Sequence, residues 1–284
     1  MVFTMSNKIF YALLLVSIFC FVSCTKAQPA NPNSQTKTNA KPEPAAKIEN
    51  PGKVVHVLVA LCDNENQGIV PVPAFLGDGE DAQKNLYWGA AFGVKTYFGK
   101  SRSWEKIAEL ENPKENVLQR IVFKHKTQNV YLVADAYRGS KMKETIGDFF
   151  AAVSGEKLEN VRAGDLNLQI SGGANLIAFV GHNGLMDFDL TDVPQRKDDG
   201  KRDAVILACA SKNYFAKHLK ETGANPLLWT TNLMAPEAYI LHDALEGWAT
   251  GETATQIRVR AAAAYAKYQK ISQKSAQNLL VTGW

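Results

Sequence analysis

Four runs of near-continuous apolar residues punctuate the chain: Val54–Leu61 (VVHVLVAL), Ala174–Val180 (ANLIAFV), Ala204–Ala208 (AVILA) and Leu227–Thr231 (LLWTT). A strand buried on both faces shows no alternation of polar and apolar positions, so these runs read as central strands of a parallel sheet. Leu118–Lys124 and Asn129–Ala136 are two further strand candidates. Elsewhere the spacing becomes helical. Over Ser140–Val153, residues Met142, Ile146, Phe149, Phe150 and Val153 fall on one face, behind Ser140 as N-cap. Tyr214–Glu221, a segment opened by Pro236 and running to Trp248, and Ala254–Ile271 are also expected to be helices. So are Ala82–Phe98 and, more briefly, Ser103–Leu110. Residues 155–173 suggest a loop or short hairpin, and the polar stretch 187–203 a mobile surface loop. Buried strands alternating with amphipathic helices predict an open, doubly wound α/β fold, its sheet mostly parallel with helices on both faces.

The N-terminus has a different character. Lys8 is the only charge ahead of the apolar run Ile9–Val22, after which come Ser23 and Cys24. A positive start, a short apolar stretch and a small residue before the cut describe an export signal. An ordinary signal peptide or an uncleaved anchor would share those features. Phe21-Val22-Ser23-Cys24 resembles the bacterial lipobox, which implies cleavage before Cys24 and lipidation of that cysteine. Between Cys24 and Ile48 there is no Leu, Ile, Val or aromatic residue. Such a segment cannot bury enough apolar surface to offset its conformational entropy, so it reads as a solvated tether. The expected organisation is a signal over 1–23, a lipidated cysteine and tether over 24–52, and a single α/β domain over 53–284. The protein would then be exported and held to a membrane of a bacterial cell envelope, on the periplasmic side or the cell surface.

Composition narrows the partners. A net charge of +4 with no basic stripe argues against nucleic acid. Of four cysteines, Cys20 and Cys24 belong to the signal, leaving Cys62 and Cys209 either bridged or unpaired. No cofactor motif occurs. Cys62, Asp63, His182 and Cys209 could be zinc ligands, but they lack the usual ligand spacing. Asp78, Glu80 and Asp81 lack the order of a calcium loop.

In an open α/β sheet the chemistry sits beyond the carboxyl ends of the strands. There the four runs deliver Cys62-Asp63-Asn64, Gly181-His182-Asn183-Gly184, Cys209-Ala210-Ser211 and Asn232-Leu233-Met234. A histidine and a cysteine therefore end two consecutive strands, a pairing in which imidazole can take the thiol proton. Cys209 could equally be a small buried hydrophobe, and His182 a turn residue.

Val205-Ile-Leu-Ala-Cys-Ala-Ser-Lys-Asn-Tyr-Phe215 resembles the segment around the nucleophile of the legumains, within the caspase–legumain–gingipain cysteine peptidases. Phe179-Val-Gly-His-Asn-Gly184 resembles that family's histidine block, with Asn183 standing between the histidine and the glycine. Val57–Ala60 followed by Cys62-Asp63 is similar to its first strand. The resemblance implies a three-layer caspase-haemoglobinase fold acting on peptides or proteins. It also implies Cys209 as nucleophile, His182 as acid–base, Asp63 or Asn64 orienting the imidazole, and the Gly184 and Cys209 amides as oxyanion donors. A non-catalytic binding lipoprotein of the same fold is the alternative.

Overall fold

The structure, a computed structural model, describes residues 49–284. Among them run ten strands and six helices. The first half holds β1 (Lys53–Ala60), α1 (Val94–Gly99), β2 (Trp104–Lys114), β3 (Val117–His125), β4 (Val130–Tyr137), α2 (Met142–Ser154), β5 (Leu158–Ala163) and β6 (Leu166–Ser171). The second holds β7 (Leu176–Val180), β8 (Asp203–Leu207), α3 (Ser211–Thr222), β9 (Asn225–Thr230), α4 (Ala238–Ala249), α5 (Ala254–Gln269), α6 (Gln273–Leu279) and β10 (Leu280–Val281).

Eight strands form one sheet in the order β10-β9-β8-β7-β1-β4-β3-β2, and β5 and β6 form a separate hairpin. The five strands from β9 to β4 are mutually parallel, while β10, β3 and β2 run antiparallel to their neighbours. The fold is thus a mixed α/β one built on a large, mostly parallel sheet. After β4 the chain crosses to the far side of β1 to lay down β7, which makes the gap between β1 and β7 the topological switch point.

Alternation along β1 divides the interior in two. Val55, Val57 and Val59 face one way and pack with α1, α4, α5 and Trp88. Val54, Leu58 and Ala60 face the other and pack with α2, α3 and the β5–β6 hairpin. Successive side chains of a strand point to opposite faces, so a run apolar at nearly every position can serve two cores at once.

Several segments depart from the sequence reading. Ala82–Phe98 is helical only over α1; the part before it is a chain of turns. Asn85 is fully buried there and bridges Cys62 in both directions, its amide oxygen accepting from Cys62 N at 3.0 Å and its nitrogen donating to Cys62 O at 2.8 Å. Gly89 and Gly93 fold back so tightly that an added Cβ would lie 2.0 Å from Gln83 O and 2.3 Å from Trp88 O respectively, which no helix requires. Of the helix expected over Ser103–Leu110, all but Ser103 lies within strand β2, because the ladder offered by β3 outweighs the weak propensity of one short helix. That edge strand carries two register shifts and Pro113, features that discourage pairing with another chain. The N-cap of α2 is Lys141, not Ser140. The signal, Cys24 and most of the expected tether lie outside the described residues. The end of that tether, however, is docked: Asn50 donates to Gln169 O and Gly173 O at 3.0 Å each and accepts from Gln169 N at 2.6 Å, so the packed chain starts before residue 53.

A cluster of charged side chains interrupts the apolar interior. Arg120 and Asp135 stand opposite one another on β3 and β4, joined by two hydrogen bonds of 2.5 and 2.6 Å. His56 of β1 reaches the same carboxylate at 3.2 Å, and Glu159 of the hairpin meets Arg120 at 2.6 Å. Burial alone would raise the Asp135 carboxyl, but the bonds from Arg120 and His56 override it and hold it well below the usual carboxylate range. Because the folded value is depressed, this contribution to stability is present above about pH 4 and is lost as the pH falls below that. Removing Arg120 would take away both of the short bonds to this buried carboxylate and leave it only His56 and, at 4.0 Å, Lys114. Arg120→Met is therefore expected to lose about 3–5 kcal/mol in urea unfolding at pH 7. The gap from the unaltered protein should narrow as the measurement is taken down to pH 3.

Candidate active site at the carboxyl rim of the sheet

The register of the parallel strands aligns Val59, Val180 and Leu207. The segments that follow β1, β7 and β8 consequently leave the sheet at one level, and His182 and Cys209 emerge at the same rim from adjacent strands, beside the switch point.

His182 is buried, and its Nε2 lies 2.6 Å from Asp187 Oδ2. A carboxylate accepts a hydrogen here, so Nε2 carries the proton and Nδ1 keeps a lone pair. No group among the described residues bonds to Nδ1. Gly181 allows the histidine to turn out of the strand: its φ is +154°, and a Cβ there would sit 2.9 Å from Ala60 O. Asn183, the residue between the histidine and Gly184, is fully buried. Its side chain donates to Cys209 O at 2.7 Å and accepts from Leu185 N at 3.1 Å, capping the 3₁₀ turn Gly184–Met186. It ties the two rim segments together.

Cys209 is half-buried on a strand–turn–helix elbow. Ala210, the next residue, adopts the left-handed conformation with φ +47°, a local cost of about 1–2 kcal/mol for a residue with a Cβ. What holds the elbow is Thr230, whose hydroxyl accepts from Ser211 N at 3.0 Å and bonds to Ala208 O, while Ser211 Oγ donates to Ile206 O at 2.9 Å. The thiol itself meets the Met234 backbone, with Sγ 3.5 Å from the carbonyl oxygen and 3.4 Å from the amide nitrogen. The carbonyl can accept from the neutral thiol and the amide can donate to a thiolate. Neither the Gly184 amide nor the Cys209 amide donates to any other group among the described residues. No hydrogen bond joins His182 to Cys209.

The other residues singled out in the sequence are used elsewhere. Asp63 accepts from the amides of Glu65 and Asn66 at 2.9 and 3.0 Å, closing a turn. Asn64 pairs through its side chain with the backbone of Val72 at 2.8 and 3.0 Å. Both brace the loop after β1 and neither touches His182. Asp187 holds the imidazole instead. The sequence reading had set it at the start of a surface loop, because nothing in the pattern shows that the turn at Gly184–Met186 brings residue 187 back onto residue 182. Asp187 also receives the Gly68 amide at 3.4 Å, so the loops after β1 and β7 meet there. Among the described residues, no three His, Cys, Asp or Glu side chains are grouped to hold a metal.

Searches of protein-family models, curated proteins and solved structures found no match to this chain. The chemistry therefore has to be read from its own geometry.

Cys62 and Cys209 are both unpaired, in contrasting surroundings. Burial pushes the Cys62 thiol up to about 11, only partly offset by the Tyr87 hydroxyl beside it. At pH 8 about one molecule in 10³ would carry a Cys62 thiolate, and the sulfur has no access to solvent. Iodoacetamide at pH 8 should accordingly give a single adduct at Cys209 in the native protein and two domain adducts, at Cys62 and Cys209, after denaturation. Mass spectrometry of tryptic peptides reads both.

Proposed function

We propose that this protein is an exported, lipid-anchored cysteine peptidase-like protein that hydrolyses peptide bonds with His182 and Cys209, within a fold of the caspase-haemoglobinase type. The observation that carries the reading is the pairing of an oriented, buried histidine with a half-buried thiol at one rim, on neighbouring parallel strands. The free Nδ1 of His182 and the undonated amides of Gly184 and Cys209 supply what acyl transfer needs.

In this reading His182 Nδ1 takes the thiol proton and the sulfur attacks the scissile carbonyl carbon. The carbonyl electron pair moves to oxygen, which the Gly184 and Cys209 amides receive. Collapse of that intermediate breaks the C–N bond, and the imidazolium gives its proton to the departing amine. Water then attacks the thioester, with His182 as base, and releases the acid and the thiol. Asp187 acts as a positioning residue that fixes the tautomer and favours the imidazolium. Asp63 and Asn64 support the loop above the site. The closing of a hydrogen bond between His182 and the thiol is left to substrate binding, as is common for an empty hydrolase.

A second reading rests on Asn183. Its side chain locks the two segments through the Cys209 carbonyl, and the imidazole already spends one nitrogen on Asp187. A rim held in that way would also serve a protein that binds peptide segments without cutting them. On either reading, Cys24 carries the lipid that holds the protein to a membrane. Among the described residues no helix is long and apolar enough to cross a membrane.

Incubation with a peptide library at neutral pH is expected to yield products that Cys209→Ala abolishes. Asp187→Asn should lower kcat/KM on the order of 10²-fold or more, by loss of the tautomer. Peptide binding without turnover, unchanged in Cys209→Ala, would select the second reading. For the anchor, a radiolabelled fatty acid fed to expressing bacteria should be incorporated, and Cys24→Ser should remove the label.

A further inference from the structure

A second nucleophile–histidine–carboxylate row lies on the α1–α4 side of the sheet, away from the rim. Ser101 Oγ is 2.8 Å from His242 Nε2, and His242 Nδ1 is 2.9 Å from Asp243 Oδ1. Ser101 follows helix α1, whereas His242 and Asp243 sit one turn into α4, so the row depends on those two helices packing together. The imidazole ring is wedged against Tyr97 and Phe98, with ring centroids 5.3 Å away in each case. Asp243 can only accept, so Nδ1 carries the proton and Nε2 faces Ser101 with a lone pair. That is the tautomer required of a general base. The Glu246 carboxylate, held by Trp104 Nε1 at 2.8 Å, stands 3.7 Å from Nε2 and would favour the imidazolium once formed.

The surroundings provide the remaining parts. The Ser103 amide points at Ser101 Oγ at 3.1 Å, and the Arg102 amide donates to nothing among the described residues. In an acyl transfer at that serine, the Arg102 amide is the donor left to receive the oxyanion, and the Ser103 amide is released from Oγ as that oxygen attacks. An open cavity of about 450 Å³ adjoins the row, and Phe92, Tyr97, Lys100 and Arg102 are among the residues that line it. Neither cation has an ion-pair partner among the described residues.

We propose that Ser101, His242 and Asp243 form a second hydrolytic site, independent of Cys209, that cleaves small carboxylic esters bearing an apolar or aromatic portion and an anionic group. His242 Nε2 takes the Ser101 proton while Oγ bonds to the ester carbon and the carbonyl pair moves to oxygen. The intermediate expels the alkoxide, which leaves as the alcohol with the proton from His242. Water, deprotonated by His242, cleaves the acyl-serine to the carboxylic acid and restores the hydroxyl. Phe92 and Tyr97 receive the apolar portion, and Lys100 and Arg102 the anion.

The test uses the whole chain and its Cys209→Ala variant, so that thiol chemistry cannot contribute. A fluorophosphonate should modify Ser101 in both proteins, mapped by mass spectrometry, and p-nitrophenyl hemisuccinate should be hydrolysed faster than p-nitrophenyl acetate. Ser101→Ala should remove the label and lower ester hydrolysis about 10²-fold or more while leaving the melting temperature unchanged. Lys100→Ala with Arg102→Ala should abolish the preference for the hemisuccinate. Ser101→Cys keeps the contact and should take up iodoacetamide at residue 101. Fluorophosphonate labelling no greater than in heat-denatured protein, or ester turnover equal in Ser101→Ala, overturns the proposal. Loss of activity with Cys209→Ala alone would overturn the independence of the two sites.

Discussion

With β4 hydrogen-bonded along one edge and β7 along the other, β1 has no free backbone, and its alternate side chains must be covered by two separate layers. Almost everything else follows from meeting that requirement. Two layers on one strand demand crossovers on both faces of the sheet, and parallel neighbours demand that each crossover return to the starting end. The segments leaving the strands are therefore gathered at one rim. Hydrophobic burial fixes the rim, and the rim fixes which side chains can meet.

The charged cluster beneath the β5–β6 hairpin departs from that scheme. A buried ion pair adds little to stability over an apolar pair of the same shape, but it penalises any arrangement that separates the partners. Arg120 and Asp135 face each other directly in the β3–β4 ladder, so a slip of one residue would strand both charges. His56 extends the cluster into β1, and its own Nδ1 is buried with no hydrogen-bond partner among the described residues. The cluster thus sets the register of the antiparallel extension against the parallel core, and Glu159 ties the hairpin over it.

The rim and the α1–α4 side share one device. In each, a carboxylate takes one imidazole nitrogen; the other has no hydrogen bond among the described residues at His182 and meets Ser101 at His242. They differ in how the ring is reached. At the rim the histidine and the thiol are delivered by adjacent parallel strands and tied by Asn183. On the α1–α4 side the serine comes from the end of one helix and the histidine from the interior of another. The contrast between the two thiols is of the same kind, since Cys62 is sealed beneath Tyr87 while Cys209 sits at an elbow that keeps it half open.

Near-continuous apolar runs announced the four central strands and the residues leaving their ends, because full burial on both faces writes itself into local composition. Helix α2 was legible from its buried stripe at helical spacing, α4 from the proline that opens it and α5 from its run of helix-forming alanines. What could not be read locally depended on partners distant in the chain. Residues 104–110 are a strand because β3 lies beside them, and residues 82–93 are turns because Asn85 is anchored to Cys62. Asp63 and Asn64 stood in the right place to orient His182, but their hydrogen bonds went to the loop they begin, where the backbone amides are nearer. Asp187 took the histidine because a capped 3₁₀ turn folded it back, and Ser101 met His242 across 141 residues because two helices packed. The sequence by itself determined which strands are buried and which side chains reach the rim, since these follow from the polarity of neighbouring residues. Only the tertiary structure decided which of those side chains touch, because a hydrogen bond depends on tenths of an ångström set by packing from every side.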